Sequence, residues 1–209
     1  MILKVNVTRI ALLNLKKELK VAVRGHKLLK DKRDGLVKKF METIYKARDL
    51  RVSVESRLES AFDSYIRASA MSPSSILSTA FLLPNAKVTL GVKVKNIMSV
   101  SIPVFDVKKE GNVLSYGFLD TTGDLDNAIK KFDDVFIDII MLAQLEKTAE
   151  SLAGEIEKTR RRVSALENVR IPNLNDTIRF ITQQLEERAR DAIVSIMRVK
   201  AIILAKGES

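Results

Sequence analysis

The chain has 209 residues, 46% of them apolar, with only 5% aromatic, no Trp and 30% charged, a balance that suits long helices packed through Leu, Ile, Val and Ala rather than a ring-filled globule. The absence of Cys excludes a disulfide scaffold, a thiolate metal site and a thiol nucleophile, and points to a reducing compartment. The formal charge of +10 is uneven: residues 1–65 hold 16 Lys/Arg against 8 Asp/Glu, residues 124–157 hold 3 against 9, and residues 158–209 hold 11 against 6.

Asn6 or Thr8 is placed to cap the first helix, its side-chain oxygen accepting from a free N–H of the first turn. From there Leu12, Leu15, Leu19, Ala22, Leu29, Leu36 and Phe40 recur at steps of three and four, with His26 and Arg33 at positions where the pattern asks for apolar residues. A stripe this narrow, kept over about four heptads, is the seam of a coiled coil. The seam continues through Ile44, Ala47, Arg51, Val54, Leu58, Ala61 and Tyr65, and the two successive fours at Phe40 and Ile44 predict a stutter that locally unwinds the supercoil. Gly25 and Gly35 lie inside the helix and each costs about 1 kcal/mol relative to Ala.

Ser72-Pro73 ends this pattern and starts a short helix to about Leu83, closed by Pro84. From Lys87 the period becomes two, through Val88, Leu90, Val92 and Val94 and on to Ile97–Phe105. A second run, Val113–Leu119, follows the polar turn Lys108–Asn112, and together they predict a small β-hairpin. A lone hairpin is marginal in water and has to pack on something.

Thr121–Asp124 signals a helix start. The second seam runs Leu125, Ile129, Phe132, Phe136, Ile139, Leu142, Leu145, Ala149, Leu152, Ile156, Thr159, Val163 and Leu166. Pro172 interrupts it with a predicted kink, and Leu174, Ile178, Ile181, Leu185, Ala189, Ile193, Ile196 and Ile203 carry it on. The predicted fold is mainly α: a long antiparallel two-helix coiled coil of N- and C-terminal helices, with a short helix and small β-hairpin at the mid-chain end. Residues 1–70 form the first helix, 71–123 the head and 124–209 the second helix, in one elongated domain. At 1.5 Å per residue the helices would span about 95 Å and about 120 Å, so the second overhangs the first, most simply at its C-terminal end.

Nucleotide-binding glycine loops of the P-loop or dinucleotide type are missing, a single His cannot build a metal cluster, and no nucleophile triad is credible around His26 in mid-seam. The expectation is no enzyme site, no catalytic residue, no metal and no cofactor. The Lys and Arg are spread round the helices rather than grouped with aromatics or Gly, which disfavours nucleic acid as the partner. The longest apolar run, around Ile139–Ala143, is far below the roughly 20 residues of a membrane span, and Met1–Ile10 lacks a signal core, so a soluble protein without direct membrane insertion is expected.

Two charged clusters stand out. Gly25–Asp34 includes His26, Lys27, Lys30, Asp31, Lys32 and Arg33 around one seam segment, and Glu155–Glu167 places Arg160, Arg161 and Arg162 consecutively, spread round half the helix, ahead of Glu167. Ion pairing among them would contribute at most about 1 kcal/mol per exposed pair. The functional reading makes the same ten residues a contact surface for other proteins of an assembly.

Those two runs, together with Ile171-Pro172, the start Asn6-Val7-Thr8-Arg9, Lys95-Asn96-Ile97-Met98 and Tyr116-Gly117, closely resemble the D subunit of the V-type and A-type rotary ATPases over essentially the whole chain. The chain departs from that family at Val7, where Pro is frequent, and at Gly35, where a larger residue is usual. The resemblance implies a central-stalk rotor component that transmits torque and does no ATP chemistry. Its partners would be the catalytic A and regulatory B subunits, the F subunit, and the C adaptor (d in some naming) that joins the membrane ring. It would be cytoplasmic, peripheral to the membrane, and part of a complex moving H⁺ or Na⁺. Two other classes compete: a prefoldin-like coiled-coil chaperone subunit, with hairpins forming a platform and apolar helix tips, and a nucleic-acid-bridging coiled coil, with steeply salt-dependent affinity.

Overall fold

The structure, a computed structural model, describes residues 5–73, 75, 77–78, 81, 85–116 and 121–207. The chain is mainly helical. Helix α1 covers Arg9–Met71, strands β1 and β2 cover Lys87–Ile97 and Val100–Glu110, and helix α2 covers Gly123–Ala165. A π-helical turn, Leu166–Arg170, leads into helix α3, Ile171–Gly207. No helix among the described residues is long and apolar enough to cross a membrane.

Of the two candidates for the first cap, Thr8 takes the role: its Oγ1 accepts from the N–H of Ala11 at 3.1 Å. Leu125 N–H bonds Thr122 O at 3.0 Å as α2 begins, where the sequence signals a helix start. The predicted short helix falls partly outside the described residues; Ser75, Leu77 and Ser78 within it are helical.

The chain forms two compact units, residues 1–34 with 157–209 and residues 35–156. In the first unit Leu15 and Ala22 of α1 share a buried cluster with Leu174 and Ile181 of α3, flanked by Leu12, Leu19, Ile178 and Leu185. Glu18 pairs with Arg170, and Arg188 donates to Val7 O at 3.1 Å. Residue numbers fall along the C-terminal partner as they rise along α1. The π turn sits where Pro172 would break a regular ladder: the Ile171 N–H reaches back to Leu166 O, one residue further than in an α-helix. From Glu186 to Ile203 every residue is exposed, so the apolar series Ile193, Ile196 and Ile203 finds no cover within this chain's described residues.

In the second unit Leu36 and Leu152 meet Val100 and Ile102 of β2, with Phe40, Ile97 and Ile156 around them. Another cluster joins Ala68, Leu77 and Leu125 to Tyr116 and Ile129. Phe62 and Phe132 pack edge to face, 5.2 Å between centroids. Arg51 pairs with Glu146 and Arg57 with Asp138 at 2.6 Å, so the acidic stretch of α2 finds part of its compensation on α1. Lys131 Nζ donates to the hydroxyls of Ser60 and Ser64, both at 2.9 Å.

The hairpin differs from the expected one. Its partner strand is Val100–Glu110, not Val113–Leu119, and it turns at Met98-Ser99, not at Lys108–Asn112. Both turn residues have positive φ, 52° and 68°, the backbone a two-residue hairpin needs and one usually given to Asn-Gly. Val113–Tyr116 is not strand, and Gly117–Leu119 lies outside the described residues. The seam also shifts locally. Ile44, Arg51, Tyr65, Phe136 and Ile139 are exposed, and Thr43, Leu50, Ser64 and Val135 point inward in their place. The steps of four and three therefore continue through Phe40–Ala47, and two successive fours occur at Leu50, Val54 and Leu58 instead. Buried hydroxyls explain part of the shift. Thr43 donates to Lys39 O at 2.9 Å and Ser64 to Ser60 O at 3.1 Å, so each hydroxyl is satisfied on its own helix when buried, and Ser64 also accepts from Lys131.

Candidate partner-contact surface

The ten charged residues of the two sequence clusters all lie in the first unit, on α1, α2 and the π turn. On α1, Lys27, Lys30 and Asp31 are exposed while His26, Lys32 and Arg33 are half-buried. This alternation is what a helix produces when one side of its circumference faces a neighbour. Arg33 is turned onto the next residue, with Nε at 2.9 Å and Nη2 at 2.7 Å from Asp34 Oδ1. On α2, Arg160, Arg161 and Arg162 are all exposed, and Arg161 pairs with Glu157 one helical turn back.

The structure brings the two clusters together at His26 and Glu167. His26 Nε2 lies 3.5 Å from Glu167 Oε2, which is long for a hydrogen bond, and the histidine side chain is 22% exposed against 62% for the glutamate. The nitrogen is buried with no hydrogen-bond partner among the described residues, so the carboxylate is its nearest electrostatic neighbour. Glu167 belongs to the π turn, whose irregular backbone sets where it stands relative to His26. Between Arg160 or Arg162 and the α1 cluster the structure records no ion pair among the described residues.

Exposed cations next to half-buried ones form a surface that can exchange partners. Such pairs contribute roughly 0–1 kcal/mol each and are screened by salt, so they orient a contact without locking it. The arrangement offers no convergent acid, base and nucleophile, and no group of three or more metal-ligating side chains occurs among the described residues. In the second unit an apolar cavity of about 370 Å³, lined by Tyr65, Phe81, Val88, Ile129, Phe132 and Phe136, has as its charged lining Lys109 and Asp133, which pair with each other.

Charge clustering did not reveal the pairs Glu18–Arg170 and Arg51–Glu146, or the bare apolar face of α3. The pairs join residues over 90 positions apart in sequence and carry no local signal. The bare face was signalled only by the difference in helix length.

Known proteins align with the chain almost from end to end. Residues 11–201 match the model of the family described as the ATP synthase D subunit. A V-type ATP synthase D subunit of Clostridioides difficile is 45% identical over 98% of this chain and 93% of its own length. One from Clostridium botulinum is 44% identical over 98% and 97%, and one from Clostridium novyi is 41% identical over 99% and 98%. The chain belongs to the ATP synthase D-subunit family.

Proposed function

We propose that the chain is the central rotor shaft of a V/A-type rotary ATPase, a non-catalytic part that carries torque between the nucleotide-processing A/B subunits and the ion-translocating membrane ring. The observation that carries this reading is the match to V-type ATP synthase D subunits along nearly the whole chain. The partners would be A, B, F and the ring adaptor C/d, at the cytoplasmic side of the membrane. In this reading α1 pairs with α2 and α3 as an antiparallel coiled coil, bent near Pro172, because opposed helices with interlocked side chains resist twisting better than either alone.

Two physical features support it. The exposed run Glu186–Ile203 carries Ile193, Ile196, Met197 and Ile203, an apolar face that needs a partner beyond this chain. The surrounding Arg188, Arg190, Arg198 and Lys200 with the Arg160–Arg162 cluster give a basic envelope. Mobile, solvated charges suit an axle turning against carboxylates of a sleeve, because weak screened contacts can be made and broken at each step. His26, Lys27, Lys30, Asp31, Lys32, Arg33, Arg160, Arg161, Arg162 and Glu167 are proposed as contacts with the surrounding proteins of the complex.

Tagged chain incubated with A, B and F subunits should capture all three. Charge reversal at Arg160–Arg162, or at Lys30, Lys32 and Arg33, should leave assembly intact and lower ATP turnover or its coupling to ion transport several-fold. Wild-type turnover and coupling in the assembled charge-reversed complex would remove these residues from the sleeve contact. Failure to capture A, B and F would remove the function itself.

A further inference from the structure

The hairpin carries an interaction surface that the shaft reading does not use. Ten of the eleven residues of β1 are exposed, and the strand is the outer member of a two-stranded sheet. The other outer edge, that of β2, is met by α2: the Phe105 N–H donates to Gln144 Oε1 at 2.7 Å. The edge of β1 faces no strand among the described residues, so its outward N–H and C=O groups form a template for one more strand.

The two faces of β1 differ in chemistry. Val88, Leu90, Val92 and Val94 share one face with Val107, Phe105 and Pro103 directly across from the last three, and their exposure rises from 42% at Val88 to 72% at Val94. On the opposite face Ile97, Val100 and Ile102 turn into the core beside Leu36 and Leu152, which fixes the hairpin and leaves the valine face outward near the tip. Lys87, Lys93 and Lys95 also lie on that opposite face, and β1 contains no acidic residue. From across the sheet Asp106 holds Lys93 at 3.0 Å and Glu110 stands opposite Lys87, while Lys95 faces the apolar Ile102.

We propose that β1 is a docking edge for an extended acidic segment of another protein, which adds as a third strand. Its alternate apolar side chains would extend the Val88–Val94 face, and its carboxylates would lie beside Lys87, Lys93 and Lys95. Strand addition draws affinity from main-chain hydrogen bonds and selectivity from the alternating side chains. A second copy of this chain is the poorer occupant, since pairing two β1 strands places lysine face beside lysine face. The inference stands on the hairpin alone and is independent of rotation.

The test uses the full-length chain and three end-blocked fluorescent peptides of equal length: alternating Val and Glu, alternating Val and Lys, and a peptide with Val and Glu in separate blocks. Anisotropy should show the alternating Val/Glu peptide binding at least tenfold more tightly than the other two. It should slow amide hydrogen exchange in residues 87–97 and leave α3 unchanged. The double variant K87E/K95E should reverse the preference between the Glu and Lys peptides. Absence of binding, equal affinity for the three peptides, slowed exchange outside the hairpin, or an unaltered preference in the variant overturns the proposal. Protection of β1 that grows with protein concentration in the absence of peptide also overturns it, assigning the edge to a second copy.

Discussion

Gly25 and Gly35 sit in one helix but in different surroundings. A Cβ at Gly25 meets nothing within 4 Å, whereas one at Gly35 would lie 2.8 Å from Met98 Cε of the hairpin turn. Replacing a helix-interior Gly with Ala gains about 1 kcal/mol of helix propensity. Gly25→Ala should therefore raise stability by about that amount in denaturant titrations. Gly35→Ala should gain less because Met98 has to move, and should regain the full effect when combined with Met98→Ala. Equal gains at the two glycines would show that Met98 does not press on α1. Tyr116 gives a second expectation at this scale. Burial and the hydrogen bond from its phenol to Asp126 push its pKa above the usual tyrosine value. The folded state thus keeps the phenolic proton where the unfolded chain loses it. This contribution is complete below the usual tyrosine pKa and fades as pH climbs past it toward the folded value. In an alkaline spectroscopic titration Tyr116 should ionise above the usual tyrosine range, and Tyr116→Phe should remove that late phase.

At the scale of elements, the long helices were the most legible part of the chain and the hairpin the least. Steps of three and four identified Leu15, Ala22, Leu36 and Leu152 as inward-facing because aliphatic side chains at helical spacing have few alternatives. Thr43 and Ser64 escaped that logic, since a hydroxyl bonded to the carbonyl one turn back is polar in composition yet satisfied when buried. The hairpin turn escaped it too. Met98-Ser99 lacks the Asn-Gly signature and takes its left-handed backbone from the two-residue link between paired Ile97 and Val100, while the glycine-containing Lys108–Asn112 looks like a turn and lies at the end of β2. Gly111 there does adopt φ +93°, and a side chain would collide with Asn85, so Gly111→Ala should lower the melting temperature. Burial separates adjacent seam candidates in the same way: Leu36→Ala should cost about 2–5 kcal/mol and Ile44→Ala no more than about 0.5. Similar costs at both positions would contradict the observed seam.

For the whole molecule, the family could be read from the charged runs, whereas the contacts those charges make depend on chain-distant pairing. His26 and Glu167 of the two clusters approach each other across elements, and most of the remaining charges are exposed. Outward charge and the exposed apolar residues of α3 are in keeping with a subunit of a multi-subunit ATPase complex. In the shaft role proposed above, this chain turns as ATP is hydrolysed around it. Because it contains no Cys, one cysteine introduced on the hairpin can hold a bead on a surface-fixed complex with A, B and F subunits. ATP should drive unidirectional rotation of the bead in discrete steps; continued ATP hydrolysis beneath a bead that stays still would contradict the account.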